Sequence, residues 1–398
     1  MPRLTKLKRT EKMTHNIENA DRTLSKLLEK IQARANAVQD YISPTNQLVY
    51  RTIEKPGWSD SNSKVSEIIL EGQGGEPTRS LGVNSVSFDQ IARDADIDVR
   101  TARRLQQGYS DQWDGLVNAI WQKEPKNRMV RTFMANDRQG TARAFVSDKF
   151  KTYDDLDLAK TVLPELMESD AQWQIQQADI TDKRMYMRFR SNAITGEGAN
   201  VGDLMALGLG VSNSEVGMGS IQVFQINWTL ACLNGMQTEN RHRKSHITSA
   251  RGDSEVWSVL SDEAKIADNA ALSLKLRDLV RNYASRESFE LVLEKMRQAA
   301  GDVIEGDYTQ GAVNQLGKVL ALPKKQTANI LDGLIATVGQ SGYENNRPIS
   351  RATLLNAVTA CAHKADADSV DDWQKLGGDV LNMRPADWAS ISRASIAA

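Results

Sequence analysis

The run Arg184-Met-Tyr-Met-Arg-Phe-Arg190 alternates strictly, so an extended chain sends Met185, Met187 and Phe189 to one side and Arg184, Tyr186, Arg188 and Arg190 to the other. Guanidinium groups around a phenol suit single-stranded nucleic acid. Arginine neutralises phosphate and releases counterions, and a tyrosine ring lets a base stack whatever its identity. A plain solvated sheet face carries the same alternation, and the pattern alone does not separate the two readings. The densest basic cluster is Arg241-His-Arg-Lys-Ser-His246 with Arg251; residues 241–251 hold four Lys/Arg and no Asp/Glu. Phosphate responds to the field within a Debye length of about 10 Å, so local clustering outweighs the global sum. The bland counterpart is a solvated mobile loop. The expected phosphate contacts are Arg143, Lys149, Lys151, Arg184, Arg188, Arg190, Arg241, Arg243 and Lys244, with Tyr186 as the stacking platform.

Other chemistries find less support. Cys232, His242 and His246 offer metal-binding residue types, but no fourth ligand lies nearby and Cys232 sits in an apolar run, so no metal is expected. Walker, HExxH, GxSxG and paired CxxC motifs are absent, and four histidines supply no arguable catalytic set. Asp154-Asp155 reads as a helix start, where acids favour the macrodipole. The expectation is a chain without catalytic residues or cofactors; a metal-dependent hydrolase of nucleic acid is the remaining enzymatic option.

These residues need elements to hold them. Ile17, Leu24, Ile31 and Val38 recur every seventh residue, which predicts an amphipathic helix over 14–41 that docks on the body of the protein. Residues 54–86, rich in Gly, Ser, Pro and Asn, read as a linker or flap. Ser87 to Gln90 resembles a capping box, and Asp98 caps a second helix carrying Arg100, Arg103 and Arg104. This pair is either a helix-turn-helix or ordinary helical packing. Extended runs follow at 142–147, 173–180, 184–190, 204–211 and 220–232, with a helix over 155–168 inserted after the first. Short turns between them imply antiparallel meanders. After residue 252 the periodicity is helical. The fold class is therefore α+β: an antiparallel strand-rich core (87–251) with an inserted helix, preceded by an N-terminal basic segment and helix (1–53) and a linker (54–86), and followed by a helical domain (252–398).

The motifs Arg143-Ala-Phe-Val-Ser-Asp-Lys-Phe-Lys-Thr-Tyr-Asp154, Val201-Gly-Asp203, Val211-Ser-Asn-Ser-Glu-Val-Gly-Met-Gly-Ser220 and Ala231-Cys-Leu-Asn-Gly-Met236 resemble the DUF932 family of phage, prophage and plasmid proteins. Asn356-Ala-Val-Thr359, Leu376-Gly-Gly378 and Trp388 are similar to its C-terminal part, so the resemblance spans about residues 87–392. Within these motifs Asn213, Ser214, Glu215, Gly217 and Gly219 form one expected turn, and Asn234-Gly235 a second that leads into the basic loop. Glu215 either pairs with an arginine or faces solvent. The strand-rich core also resembles, by architecture, the single-strand annealing recombinases of phages and eukaryotes.

The 398 residues carry 50 Lys+Arg against 51 Asp+Glu, which excludes a bulk basic coat or an acidic tail protein. The cancellation is uneven: residues 1–251 hold 34 basic against 31 acidic residues, and 252–398 hold 16 against 20. Two cysteines cannot build a disulfide framework, and no apolar run spans a bilayer, so the expected setting is a bacterial host cytoplasm without membrane contact. Together these features lead to a non-enzymatic DNA-handling protein of a phage or mobile element that binds single-stranded DNA, forms a homo-oligomer, and serves annealing or recombination. The alternative is an oligomeric assembly protein whose helical half contacts a phage or host protein.

Overall fold

The computed structural model describes residues 24–54, 64–72, 76–198, 204–230, 234–244, 260–338 and 348–396. They form an α+β protein with eleven strands in two sheets. Helix α1 (24–37) is followed by β1 (Val38–Pro44), β2 (Leu48–Glu54), β3 (Lys64–Leu70), β4 (Arg79–Val83), β5 (Asn127–Met134) and β6 (Gln139–Ser147). These strands make a sheet of order β1-β5-β6-β4-β3-β2, antiparallel except at β4–β6. Strands β1 and β2 occupy opposite edges, yet only Thr45–Gln47 joins them. A link of at most about 14 Å cannot cross the roughly 24 Å of a flat six-stranded sheet, so the sheet curls until its edges approach at that end.

Helices α2 (Ser85–Asp94), α3 (Val99–Gly108) and α4 (Ser110–Lys123) fill one side of this sheet. Tyr50 meets Trp113 and Trp121 edge-on, each at 6.0 Å, and Trp113 Nε1 donates to its hydroxyl at 2.9 Å. Burial pushes the Tyr50 phenol up to about 12. The polar end of an otherwise apolar cluster is thereby satisfied.

The second sheet is a meander of β7 (Trp173–Ile180), β8 (Met185–Glu197), β9 (Leu204–Asn213), β10 (Ile221–Thr229) and β11 (Asn234–Lys244), with β7 and β11 as edges. Met187, Phe189, Leu209, Val211 and Val223 pack against α1, α5 (Asp155–Glu168) and α6 (Asp262–Tyr283). Gly208 and Gly210 on β9 are space-making residues. A Cβ there would lie 2.2 Å from the Trp228 indole and 2.2 Å from the Phe224 ring, which occupy that room. Helices α7 (Arg286–Gly301), α8 (Thr309–Val319), α9 (Lys324–Val338), α10 (Arg351–Ala360), α11 (Val370–Leu381) and α12 (Pro385–Arg393) build a third core that takes in Met205, Leu207 and Met236 from the sheet.

Several boundaries differ from the sequence expectation. The N-terminal helix ends at residue 37, and Val38 to Pro44 pair with β5, because tertiary pairing overrides the heptad count. Leu27 and Ile31 are buried against the second sheet's core, so the helix docks as expected; Thr14 and Ile17 lie outside the described residues. The expected linker over 54–86 instead contains β3 and β4, built on Val65, Ile68, Ile69 and Leu81, which places it inside the first sheet. Helix α2 starts at Ser85, capped by Asn84; Ser87 is buried and donates to the Ala142 carbonyl at 2.6 Å. Asn234 and Gly235 are not a turn: they pair with Thr229 and Trp228 in the β10–β11 ladder. The first four residues of the expected basic loop, Arg241 to Lys244, belong to strand β11; residues 245–251 lie outside the described residues.

Candidate nucleic-acid interface

The alternation on β8 is real, but its polar side faces protein. Tyr186 and Arg188 are fully buried. The Tyr186 hydroxyl donates to Asp368 Oδ1 at 2.9 Å, and its pKa is raised by burial and by that carboxylate. Arg188 donates to Asp371 Oδ1 and to Gln177 Oε1, both at 2.6 Å, and its guanidinium lies 5.1 Å from the Tyr186 ring. Asp371, itself buried, also accepts from Gln237 at 2.9 Å. Asp368 and Asp371 thus stand where phosphates were expected, and Arg188 fastens the helical region to the sheet. The expected nucleic-acid contacts of Tyr186 and Arg188 are corrected accordingly: neither side chain has solvent access.

Arg143 is corrected for the same reason. It points into the seam between the sheets, ion-paired with Glu215 and 4.4 Å from the Phe133 ring centre. Glu215 therefore pairs with arginine and does not face solvent. Its Oε1 accepts the Asp155 N–H at 2.7 Å, and its backbone carbonyl accepts from Arg131 at 2.8 Å. Arg131, fully buried, is also held by Asp40 at 3.0 Å and Asp154 at 2.8 Å. Burial opposes its charge, but Asp154, Asp40 and Glu215 together hold its pKa above the ordinary arginine value. Asn213 donates to Asp155 Oδ1 and to the Tyr153 carbonyl, both at 2.9 Å. Burial first, and then the neighbouring Glu215, pushes the Asp155 carboxyl well above the usual carboxylate range.

The 213–219 motif is therefore a structural turn, as expected, and its polar residues clamp the two sheets together. Ser214 Oγ donates to the Lys183 carbonyl at 2.7 Å and accepts the Met218 N–H at 2.9 Å. Gly217 has φ +73°, a conformation that disfavours any side chain. A Cβ at Gly219 would strike the Arg184 guanidinium, whose Nε donates to the Met218 carbonyl at 3.0 Å.

The remaining basic residues are scattered. Lys151 pairs with Asp268 at 2.8 Å, and Lys149 makes no ion pair among the described residues. Arg190 is half-buried; its Nη2 donates to Gln174 at 2.8 Å, and desolvation lowers its pKa. On α3, Arg103 pairs with Asp89 and lies 5.0 Å from the Phe88 ring, whereas Arg100 and Arg104 are exposed. Arg243 and Arg241 stand opposite Gln222 and Phe224 in the β10–β11 register, and Lys244 opposite Ile221. Their side chains lie outside the described residues, as do Cys232 and His246 entirely. Among the described residues no group of three His, Cys, Asp or Glu side chains could hold a metal ion, and no helix is long and apolar enough to cross a membrane.

Sequence reasoning missed Arg131, Asp368 and Asp371. A signal for the first existed: Met129-Val-Arg-Thr-Phe133 places one arginine in an apolar run of strand length. The two aspartates carry none, since their partners lie about 180 residues away in the chain.

Compared with known proteins, the chain matches no family model, no curated protein and no solved structure.

Proposed function

We propose that the protein is a non-enzymatic DNA-handling protein of a phage or other mobile element that binds single-stranded DNA along the β11 edge of its second sheet and acts as a homo-oligomer, in annealing or recombination. The observation that carries this reading is that Arg241, Arg243 and Lys244 end an edge strand within a stretch of four Lys/Arg and no acids. Alternate residues of a strand are about 7 Å apart, so the two arginines offer successive cations to a stretched phosphate backbone. The half-buried Arg190 lies on β8 of the same sheet, and the half-buried Arg184 immediately precedes that strand. The resemblance to DUF932 motifs supports the mobile-element setting and a bacterial host cytoplasm.

The test is fluorescence anisotropy of a labelled oligo(dT) titrated with the parent and with the triple variant Arg241→Glu/Arg243→Glu/Lys244→Glu across a salt series. Binding that falls steeply with salt, and a log–log slope smaller by about 2 in the variant, support the reading, since each phosphate contact contributes about 0.7 for single strands. Parent binding no tighter than that of a neutral control protein rejects it.

A second reading, an assembly protein using its helical half, is favoured by Ile266 and Leu274 on α6, Leu291 on α7 and Ile335 on α9, each at least 60% exposed. A defined oligomer whose mass is indifferent to DNA supports it.

A further inference from the structure

Helices α9 and α10 approach closely at Gly333, where a Cβ would lie 2.5 Å from the Ala357 carbonyl oxygen. Beside that contact, with Gly333 in the wall, the α9 surface and the segment from Ala360 to Trp373 leave a cavity of about 570 Å³. A second cavity of about 340 Å³ adjoins it, shares His363 and Ala365 as wall, and runs in toward the second sheet. Both volumes fall in the range of small-molecule sites, about 300–1,000 Å³.

The two chambers differ in chemistry. The outer one carries Lys325 on the α9 wall and Lys364 on the facing wall. Neither lysine has an ion-pair partner among the described residues, and Lys325 sits in the first turn of α9, where no acid offsets the helix dipole. Asp332 and Asn329 share the α9 wall, and buried Trp373 closes the opposite side. The inner chamber is lined by Trp228, Gln177 and Gln374. Gln374 is 97% buried, its Oε1 accepts from Gln237 at 3.4 Å, and it forms part of this chamber's wall. Its neighbours Gln237 and Asp371 each retain a buried oxygen, Oε1 and Oδ2, with no partner. Those two oxygens are sealed from solvent and lie outside the chamber wall, so the polar side chains the inner chamber offers a ligand are the glutamines Gln177 and Gln374.

The Cys361 thiol does no covalent chemistry here. It donates to the Asn329 carbonyl at 3.4 Å, and burial pushes its pKa up to about 11, so it stays protonated at neutral pH.

We propose that this cleft is a nucleotide site. The base enters the inner chamber against the Trp228 wall, with its edge read by Gln374. Asp332 accepts from the sugar hydroxyls, and Lys325 and Lys364 hold the phosphate at the mouth. The site touches β11 only near Gly235 and Gln237, at the opposite end of the strand from Arg243 and Lys244, so it stands or falls independently of the DNA-binding reading.

Isothermal titration of the full chain with AMP, GMP, CMP and dTMP in turn, and with inorganic phosphate alone, tests it. The expected result is saturable binding of at least one nucleotide with Kd below about 1 mM, and phosphate weaker by about tenfold or more. Lys325→Glu/Lys364→Glu alters two exposed side chains and weakens the nucleotide by about tenfold. Gln374→Leu, with its folding checked by thermal melting, weakens the nucleotide and leaves the phosphate response unchanged. The β11 triple variant keeps mononucleotide binding. Oligo(dT) that displaces dTMP identifies the ligand as a residue of a strand, and failure to displace it identifies a free nucleotide. No binding of any of the four, phosphate as tight as the nucleotides, or parental affinity in the lysine variant overturns the proposal.

Discussion

Strands β8 and β11 belong to one sheet and both are rich in arginine, yet they hold different places in it. β8 lies second from one edge, with a hydrogen-bonded neighbour on each side and a helical layer over its polar side; β11 is an edge, paired on one side only. An arginine in the first setting must be matched by a carboxylate, because an unpaired buried charge is prohibitive. An arginine at an edge can remain available for a mobile anion. The same residue type is therefore an internal rivet on β8, while the edge position of β11 is what the proposed nucleic-acid role rests on.

The sharpest way to break this comparison is Arg188→Ala. It leaves Asp371 charged and buried, so urea unfolding should show a loss of about 3–5 kcal/mol, with DNA affinity unchanged in whatever fraction remains folded. An exposed, ligand-binding Arg188 would give the reverse: little loss of stability and weaker DNA binding.

The β11 triple variant should invert that pattern. Oligo(dT) affinity falls at least about tenfold at low salt, while the unfolding free energy from urea titration changes by no more than about 0.5 kcal/mol, the usual bound for surface changes.

Gly217→Ala sharpens the assignment of the 213–219 turn to structure. Forcing a side chain to φ +73° costs about 1–2 kcal/mol, read by thermal melting, and leaves the salt dependence of DNA binding untouched.

The smallest effect at low pH, and one that grows with pH, belongs to Asp155. Its folded-state pKa is raised, by burial first and Glu215 second. Its contribution to stability is therefore complete below the ordinary carboxylate pKa and is lost as pH rises through the raised value. Asp155→Asn keeps an acceptor for Asn213 and cannot ionise, so a plot of unfolding free energy against pH should be flatter than for the parent between the ordinary carboxylate pKa and the raised value. An unchanged slope would remove Asp155 as its source.

Much of the fold was legible in the chain. The alternation at 185–190 and the helical period after residue 262 are local signals, and Leu27 and Ile31 identified the buried stripe of α1. The capping role of Asp98 was equally local, because its side chain accepts the Thr101 N–H three residues on. Strands β3 and β4 were not legible. β3 and β4 sit amid Gly, Ser and Pro, and they are strands because β2 and β6 supply partners from distant sequence. The candidate site divides in the same way. Glu215 carried a signal, as the lone acid in a glycine-rich turn, but its partner Arg143 lies 72 residues away.

The sequence by itself determined the α+β class, the two-fold and 3.6-fold periods, the 213–219 turn and the concentration of positive charge at 241–251. Those properties depend on neighbours within a few residues, where sterics and side-chain type suffice. Only the tertiary structure decided which arginines are buried. A strand's polar side faces water or protein according to what packs over it, and for Arg188 that cover is Asp371, 183 residues further along the chain.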